Sequence, residues 1–384
     1  MSAARPFSVR VPESAITDLQ RRLETVRWPD EVAQAHWDYG TSLSYLQELV
    51  GFWRTRFDWR AAEERLNRIP QFIAKVQEHD IHFIHVRGVG PAPMPIVLTH
   101  GWPSTCFEMA RLLGPLADPA AHGGDPSDAF DVVVPSLPGY GFSSGPALRG
   151  FVRVDILWRR LMQDVLGYPR FMAHGVDIGA RVTSALGRFH SDAVIAIHLG
   201  SVDLEWPSPM PDESAMSDAE RQYLIRCDKW EREEGAYSSI QATKPQTLAY
   251  ALNDSPVGLA AWIVEKFRSW SDCGGRIENC FTEDELLTNV ALYWFTGTIN
   301  SSMRRYYEAT RNPKRLLDPG ERIQVPTGIA MFPGEKDLVV PREWAERVYP
   351  VSRWTQMPRG GHFPAVEAPD LLVDDIRAYA RQFR

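Results

Sequence analysis

The sequence contains no uninterrupted apolar run as long as a membrane-spanning helix requires. Its first residues, MSAARPFSVRVPE, also lack the apolar segment that is typical of a secretory leader. Both signals of a membrane or exported protein are therefore missing. We expect a cytoplasmic protein that has no membrane among its partners.

The sequence also lacks an excess of positive charge. Lysine and arginine number 42 against 49 aspartate and glutamate residues, which gives a formal net charge of −7. A protein with this balance has no electrostatic reason to bind nucleic acid, so that partner is not expected. Hydrophobic residues at 44% and charged residues at 24% are ordinary for a globular enzyme.

Cysteine is rare, and its spacing does not suggest a metal site. The four cysteines are Cys106, Cys227, Cys273 and Cys280. His79, His82 and His85 lie three apart in a predicted strand, where such residues point to opposite faces and cannot share one ion. We expect reduced thiols and no bound metal.

The first ninety residues do not resemble the start of an α/β sheet. Apolar residues recur at helical spacing over 14–26, 43–53 and 59–66, which predicts three helices. The tryptophans of this segment are expected to anchor it to a neighbouring domain.

From residue 79 onwards, strands alternate with helices. An alternating segment over 79–88 and apolar runs over 95–100, 131–135, around Phe171 and over 194–199 predict strands. Such alternation favours a mostly parallel sheet that is covered on both faces. Ligands of these sheets bind at the carboxyl ends of the strands.

The strand pattern stops between about 202 and 319. Helical periodicity replaces it in four segments, 218–232, 259–270, 283–294 and 301–311. An insertion of helices at this point is well placed to cover the strand ends as a lid. Strands return over 327–332 and around Trp354, and the pattern predicts a final helix over 369–383.

The sequence GVDIG at 175–179 follows an apolar strand and precedes a helix. It has the form of a nucleophile elbow, with Asp177 where hydrolases usually carry serine. Its glycines suit the strained turn, because bulky neighbours would collide with the strand and the helix that it joins. The alternative is an ordinary turn whose aspartate caps the helix. On this stretch alone the two interpretations are equally favoured.

Two later features fit a covalent hydrolase. Glu335 and Asp337 follow a late strand, and His362 lies between a glycine pair and the last helix. Nucleophile, acid and histidine thus come in the order of the α/β-hydrolase arrangement. A carboxylate nucleophile works by displacement at an activated sp³ carbon, and water activated by His362 would then hydrolyse the resulting ester.

Hydrolysis of such an ester builds negative charge on a carbonyl oxygen. The expected donors to this oxyanion are the backbone N–H groups of Ile178, at the start of the elbow helix, and of Trp102, in the loop after the strand at 95–100.

Five longer motifs link the chain to a known family. They are HGWP at 100–103, LPGYGFS at 137–143, ALNDSPVGLAA at 251–261, NVALYWFTGTINSS at 289–302 and RGGHF at 359–363. Through them the chain resembles the microsomal-type epoxide hydrolases, including the juvenile-hormone enzymes and soluble bacterial members, over nearly all of its length.

The resemblance implies the α/β-hydrolase fold, a mostly parallel sheet flanked by helices, with an N-terminal meander and an inserted helical lid. It divides the chain into four parts. These are the meander domain at 1–92, the first part of the core at 93–201, the lid at 202–320 and the second part of the core at 321–384.

The resemblance also implies two lid tyrosines that hold the epoxide oxygen. The matching positions are Tyr237 and Tyr306, with Tyr307 as the alternative to Tyr306. Neighbours on a helix point about 100° apart, so only one of these two can face the site. For the acid that orients the histidine, the family pattern favours Glu335, with Asp337 as the alternative.

We therefore predict an epoxide hydrolase that converts an apolar or aromatic epoxide and water to a vicinal diol without a cofactor. A homodimer is expected from the resemblance alone. Ile178 departs from the family, which usually has tryptophan after the nucleophile. Haloalkane dehalogenases use such a tryptophan to bind halide, so Ile178 disfavours that alternative. A non-catalytic binder of apolar ligands on the same fold is the other alternative.

Overall fold

The computed structural model describes residues 3–145, 150–200, 206–312 and 317–384, apart from the side chain of Lys336. Residue 202, the predicted first residue of the lid, lies outside these ranges. Within them, nine strands form one sheet with helices on both faces. The expected mostly parallel sheet flanked by helices is confirmed.

The strands lie in the order β1-β2-β3-β5-β4-β6-β7-β8-β9 across the sheet. Pairing is antiparallel from β1 to β5 and parallel from β5 to β9. Their bounds are β1 Arg5–Pro6, β2 Gln71–Val76, β3 His79–Val86, β4 Met94–Thr99, β5 Phe130–Pro135, β6 Phe171–Gly175, β7 Val194–Leu199, β8 Thr327–Met331 and β9 Val351–Gln356.

One sequence expectation is wrong at the N-terminal edge of this sheet. The first ninety residues contribute β1, β2 and β3, which form an antiparallel extension of the sheet that pairs with β5 through β3. β2 and β3 are joined by a tight turn in which Gln77 has a φ of 54°. A hairpin needs no crossover helix, so this part of the sheet lacks the strand–helix rhythm that marks the rest.

The helices follow the predicted segments closely, and several short ones are added. Their bounds are α1 Glu13–Glu24, α2 Leu43–Thr55, α3 Trp59–Asn67, α4 Ala110–Ala117, α5 Val154–Arg160, α6 Ile178–Phe189, α7 Asp218–Glu233, α8 Ala236–Thr243, α9 Pro245–Leu252, α10 Pro256–Trp270, α11 Glu283–Thr296, α12 Ile299–Ala309, α13 Arg342–Glu346, α14 Pro364–Glu367 and α15 Pro369–Ala380.

An apolar layer lies on each face of the sheet, and β4 contributes to both. Val97 packs in the layer that contains α5 and α6, whereas Ile96 and Leu98 pack in the layer that contains α4 and α15. Side chains alternate across a strand, so a strand buried on both faces has a continuous apolar sequence. This packing fixes the end of β4, where the functional loops begin.

Helices α7 to α12 lie between β7 and β8 in the chain. Within this group α12 packs against α8 and α9, and α10 packs against α11. The N-terminal helices α1, α2 and α3 contact α10 and α11, where the ring centroids of Trp59 and Phe295 are 4.7 Å apart. The N-terminal segment therefore supports the inserted helices from outside.

In the part of the chain that the structure describes, no helix is both long and apolar enough to cross a bilayer. Over the same residues, no three His, Cys, Asp or Glu side chains come together as a metal site would require.

Candidate active site

The turn between β6 and α6 holds Asp177 in a strained conformation. Its φ of 50° and ψ of −124° lie where a residue with a Cβ is rarely found. The carboxylate of Asp177 does not cap α6. The interpretation of Asp177 as an ordinary helix cap is therefore wrong. Asp177 instead lines a cavity below the inserted helices.

Two glycines allow the close approach that this turn needs. A Cβ on Gly179 would lie 1.9 Å from the carbonyl oxygen of Thr99, and a Cβ on Gly101 would lie 2.2 Å from Oδ1 of Asp177. Either distance is far below van der Waals contact. Glycine at both positions thus lets α6 start against the end of β4 and lets the following loop pass over the carboxylate.

The loop after β4 supplies a backbone donor to Asp177. The N–H of Trp102 donates to Oδ1 of Asp177 at 2.8 Å. His100 holds this loop against the loop after β5, because its Nε2 accepts from the N–H of Leu137 at 3.1 Å and its Nδ1 lies 3.0 Å from the carbonyl oxygen of Gly101. Burial lowers the pKa of His100 to about 4, so the ring is neutral.

The loop after β9 brings His362 to the other carboxylate oxygen. Nε2 of His362 lies 3.7 Å from Oδ2 of Asp177, and its Nδ1–H donates to Oε1 of Glu335 at 3.0 Å. The other predicted acid, Asp337, pairs instead with Lys229 at 3.2 Å. Of the two acids, the structure brings Glu335 to the histidine.

The charge on His362 follows from these neighbours. Burial alone would lower the pKa of His362, but the carboxylates of Glu335 and Asp177 outweigh it and raise the pKa to about 9. His362 is thus an imidazolium at neutral pH. An imidazolium cannot accept a proton. His362 can therefore act as a base only after it has lost its own proton, and loss of a neighbouring negative charge makes that easier.

Replacing Glu335 should lower this pKa. In Glu335→Gln the hydrogen bond survives as a neutral contact and the negative charge is lost, so the pKa of His362 should fall from about 9 towards its ordinary value of 6.5. Titration of the His362 ring by NMR, in the variant and in the unaltered protein, measures this change in pKa. Asp337→Asn is the matched control, and a shift as large in that variant would contradict the pairing of Glu335 with His362.

Two tyrosines from the inserted helices lie above the carboxylate. The ring of Tyr237 stacks on that of Trp102 with centroids 5.2 Å apart, and the ring of Tyr306 meets Trp102 edge-on at 6.1 Å. The two tyrosine rings are 6.1 Å apart, and both line the cavity. Tyr307 is not part of the wall, and its ring stacks with the guanidinium of Arg311 at 3.6 Å. The structure therefore places Tyr306, and not Tyr307, on the wall of the cavity that Asp177 lines.

The cavity has a volume of about 780 Å³, which is large enough for a drug-sized organic molecule. Ile178 lies on its wall together with Val182 and Trp270. The ring of Trp270 lies 4.9 Å from that of His362 and 5.0 Å from that of Tyr237. An apolar surface thus adjoins the charged groups.

Sequence reasoning missed three ionisable side chains near this site. The ammonium of Lys266 lies 5.0 Å from the centroid of the Tyr237 ring and pairs with Glu265 at 2.6 Å. Burial raises the pKa of Glu108 to about 7, although Ser104 donates a hydrogen bond to it. Arg305 lines the cavity. None of these three residues carries a motif signal, because each reaches the site only through the packing of its helix.

Comparison with known proteins identifies relatives over the whole chain. A family model described as "Epoxide hydrolase N terminus" matches residues 4–109, and one described as "Alpha/beta hydrolase family" matches residues 96–375. A protein of Stigmatella aurantiaca, provisionally named an epoxide hydrolase, is 42% identical over 382 residues, which cover 99% of this chain and 85% of that one. Epoxide hydrolase 1 of Oryctolagus cuniculus is 35% identical over 414 residues, covering 97% and 87%.

A solved structure agrees with these matches. The structure of Aspergillus niger epoxide hydrolase is similar with a TM-score of 0.87 at 31% identity, and the match covers 100% of this chain and 97% of that one. The α/β-hydrolase fold that the sequence implies is confirmed.

Proposed function

The chain belongs to the epoxide hydrolases of the α/β-hydrolase fold, and from this membership we propose how its site opens an epoxide. The proposed reaction converts an epoxide with an apolar or aromatic body, together with water, to a vicinal diol by way of an ester on Asp177. The observation that carries the proposal is that Asp177, Tyr237, Tyr306 and His362 all line one cavity.

The first step is attack by Asp177 on an epoxide carbon. Oδ2 is the attacking atom, since Oδ1 already accepts the N–H of Trp102. A new C–O bond forms to the enzyme and the epoxide C–O bond breaks. The charge moves to the epoxide oxygen, which the hydroxyls of Tyr237 and Tyr306 stabilise and protonate.

Formation of the ester changes the base strength of His362. Asp177 loses its charge in the ester, so one of the carboxylates that raise the pKa of His362 no longer acts. Transfer of the imidazolium proton to the tyrosinate, with solvent as the carrier, leaves His362 neutral. The histidine thus becomes a base only after the ester has formed, when hydrolysis of the ester needs one.

The second step is attack by water on the ester carbonyl. Neutral His362 takes a proton from the water, and Glu335 stabilises the imidazolium that forms again. Charge builds on Oδ1, which already lies 2.8 Å from the N–H of Trp102, and the N–H of Ile178 is the second proposed donor. Collapse breaks the bond between the ester carbon and Oδ2, the leaving oxygen takes the proton that the added hydroxyl still carries, and the diol departs from the restored Asp177 carboxylate.

The site supports epoxide over halide as the leaving group. Ile178 has no side-chain donor for a halide ion, whereas two phenols suit an oxygen that becomes an alkoxide. A protein that only bound apolar ligands would have no use for a His362 imidazolium held between two carboxylates.

Removal of one phenol tests this assignment. Tyr306→Phe should reduce diol formation from styrene oxide by about 10²-fold, because one donor to the developing alkoxide is lost. Tyr307→Phe, the matched control on the same helix, should change little. The measurement is kcat/KM by product analysis, with 1-chlorobutane as a comparison substrate. Halide release without diol would support a dehalogenase, and tight binding without any product would support a binder.

A further inference from the structure

Arg305 is a cavity residue that the proposed reaction does not use. It precedes Tyr306 on α12, is half-buried and lines the same cavity as Asp177. Its guanidinium lies 5.3 Å from the centroid of the Phe151 ring. Within the described residues, no carboxylate forms an ion pair or hydrogen bond with it, and the attraction of Asp177 acts only at longer range.

Two other arginines on this wall are paired with carboxylates. Arg153 meets Asp155 at 2.5 Å, and Arg188 meets Glu321 at 2.5 Å. A cation that is partly withdrawn from water without such a partner is costly to keep, and an arginine does not relieve that cost by losing its proton. Burial accordingly lowers the pKa of Arg305.

We propose that Arg305 binds a carboxylate on the substrate, so that the epoxides of this enzyme carry an acid group close to the oxirane ring. The planar guanidinium presents two parallel N–H donors, which match the two oxygens of a carboxylate. A single positive charge also neutralises a single negative one. The inference rests on the proposed function, and it adds a charged end to the apolar or aromatic body.

Charges elsewhere on the cavity wall favour one direction for such a substrate, and Arg181 adds a second positive charge whose field reaches Arg305. The α7 wall carries Asp228, Glu231 and Glu233, which repel a carboxylate. The acid group therefore points towards α12 and Arg305. The oxirane then lies beside Tyr306, the next residue on that helix, while the body occupies the apolar wall around Ile178 and Val182.

A pair of substrates that differ only in charge tests this assignment. The acid is 3-phenylglycidate and its neutral counterpart is 3-phenylglycidamide, with styrene oxide as a reference. In Arg305→Gln, kcat/KM for the acid should fall by about 100-fold while the two neutral epoxides change little, because one charge-assisted interaction is lost. Arg305→Lys keeps the positive charge, so it should retain part of the preference for the acid over the amide. Arg304 is an exposed neighbour on the same helix, and Arg304→Gln should leave kcat/KM for all three epoxides unchanged.

Inhibition separates binding from chemistry. Cinnamate should inhibit styrene oxide hydrolysis at a lower concentration than cinnamamide, and Arg305→Gln should remove the difference. Equal losses for acid and amide would overturn the proposal, since Arg305 would then act on Asp177 or Tyr306. Turnover of styrene oxide without turnover of the acid would overturn it and leave the proposed function standing. Absence of diol from all three epoxides would overturn both.

Discussion

Asp177→Ala should fold and bind ligands but form diol at least about 10⁴-fold more slowly than the unaltered enzyme. The variant has no oxygen to attack the epoxide carbon, and no ester can form. Alanine is smaller than aspartate, so it fits the space below Gly101. The loss should therefore appear in kcat and not in stability.

The measurement is diol formation at saturating epoxide, with thermal unfolding as the test of folding. Asp337→Ala is the matched control, because Asp337 lines the same cavity and pairs with Lys229. Its activity should stay near that of the unaltered enzyme. Retention of even a tenth of the activity in a folded Asp177→Ala would contradict nucleophilic attack by this residue.

His362→Gln should stop the reaction halfway. Attack by Asp177 does not need a base, whereas hydrolysis of the ester does, so the ester should accumulate. One equivalent of epoxide should be consumed rapidly, and diol should then form about 10⁴-fold more slowly than in the unaltered enzyme. Glutamine keeps a polar group near Glu335 but cannot take a proton from water.

Intact-protein mass spectrometry measures this directly. The protein should gain the full mass of the epoxide, because opening of the ring adds every atom of the substrate to the enzyme. Peptide mapping should locate the addition on Asp177. If the variant lost activity and no adduct formed, His362 would act in the first step as well. The assignment of attack to Asp177 alone and of ester hydrolysis to His362 would then be wrong.

The core of the fold could be predicted closely because its signals are local. The apolar runs that predicted β4, β5 and β7 end within one residue of the observed strands. Burial on both faces gives a strand a continuous apolar sequence. β1 and β2 were not predicted from the sequence. Strands at this antiparallel edge have neither the continuous apolar sequence nor the crossover helix that marks the parallel strands.

Motifs and chain order could predict the candidate residues of the site but could not choose between neighbouring alternatives. The spacing left Glu335 and Asp337 both open, and packing decides between them, since one lies on His362 and the other on Lys229. Tyr306 and Tyr307 differ by one step of a helix, and only the packing of α12, which brings the Tyr306 ring within 6.1 Å of the Trp102 ring, shows which of them lines the cavity.

Two features of the site could not have been found in the sequence. Lys266 and Arg305 sit in helices whose local patterns are ordinary, and their places at the Tyr237 ring and on the cavity wall depend on how separate elements meet. Ile178 could be named as a departure from the family, and the structure places its side chain on the cavity wall.

The covalent role of Asp177 is tested most directly by a single turnover in heavy-oxygen water. With enzyme in excess over epoxide, the first diol should contain ordinary oxygen, because the oxygen that it gains comes from Asp177. The label should enter Asp177 during ester hydrolysis and appear in diol only in later turnovers. Heavy oxygen in the diol of the first turnover would mean that water attacks the epoxide directly, and it would contradict the ester on Asp177.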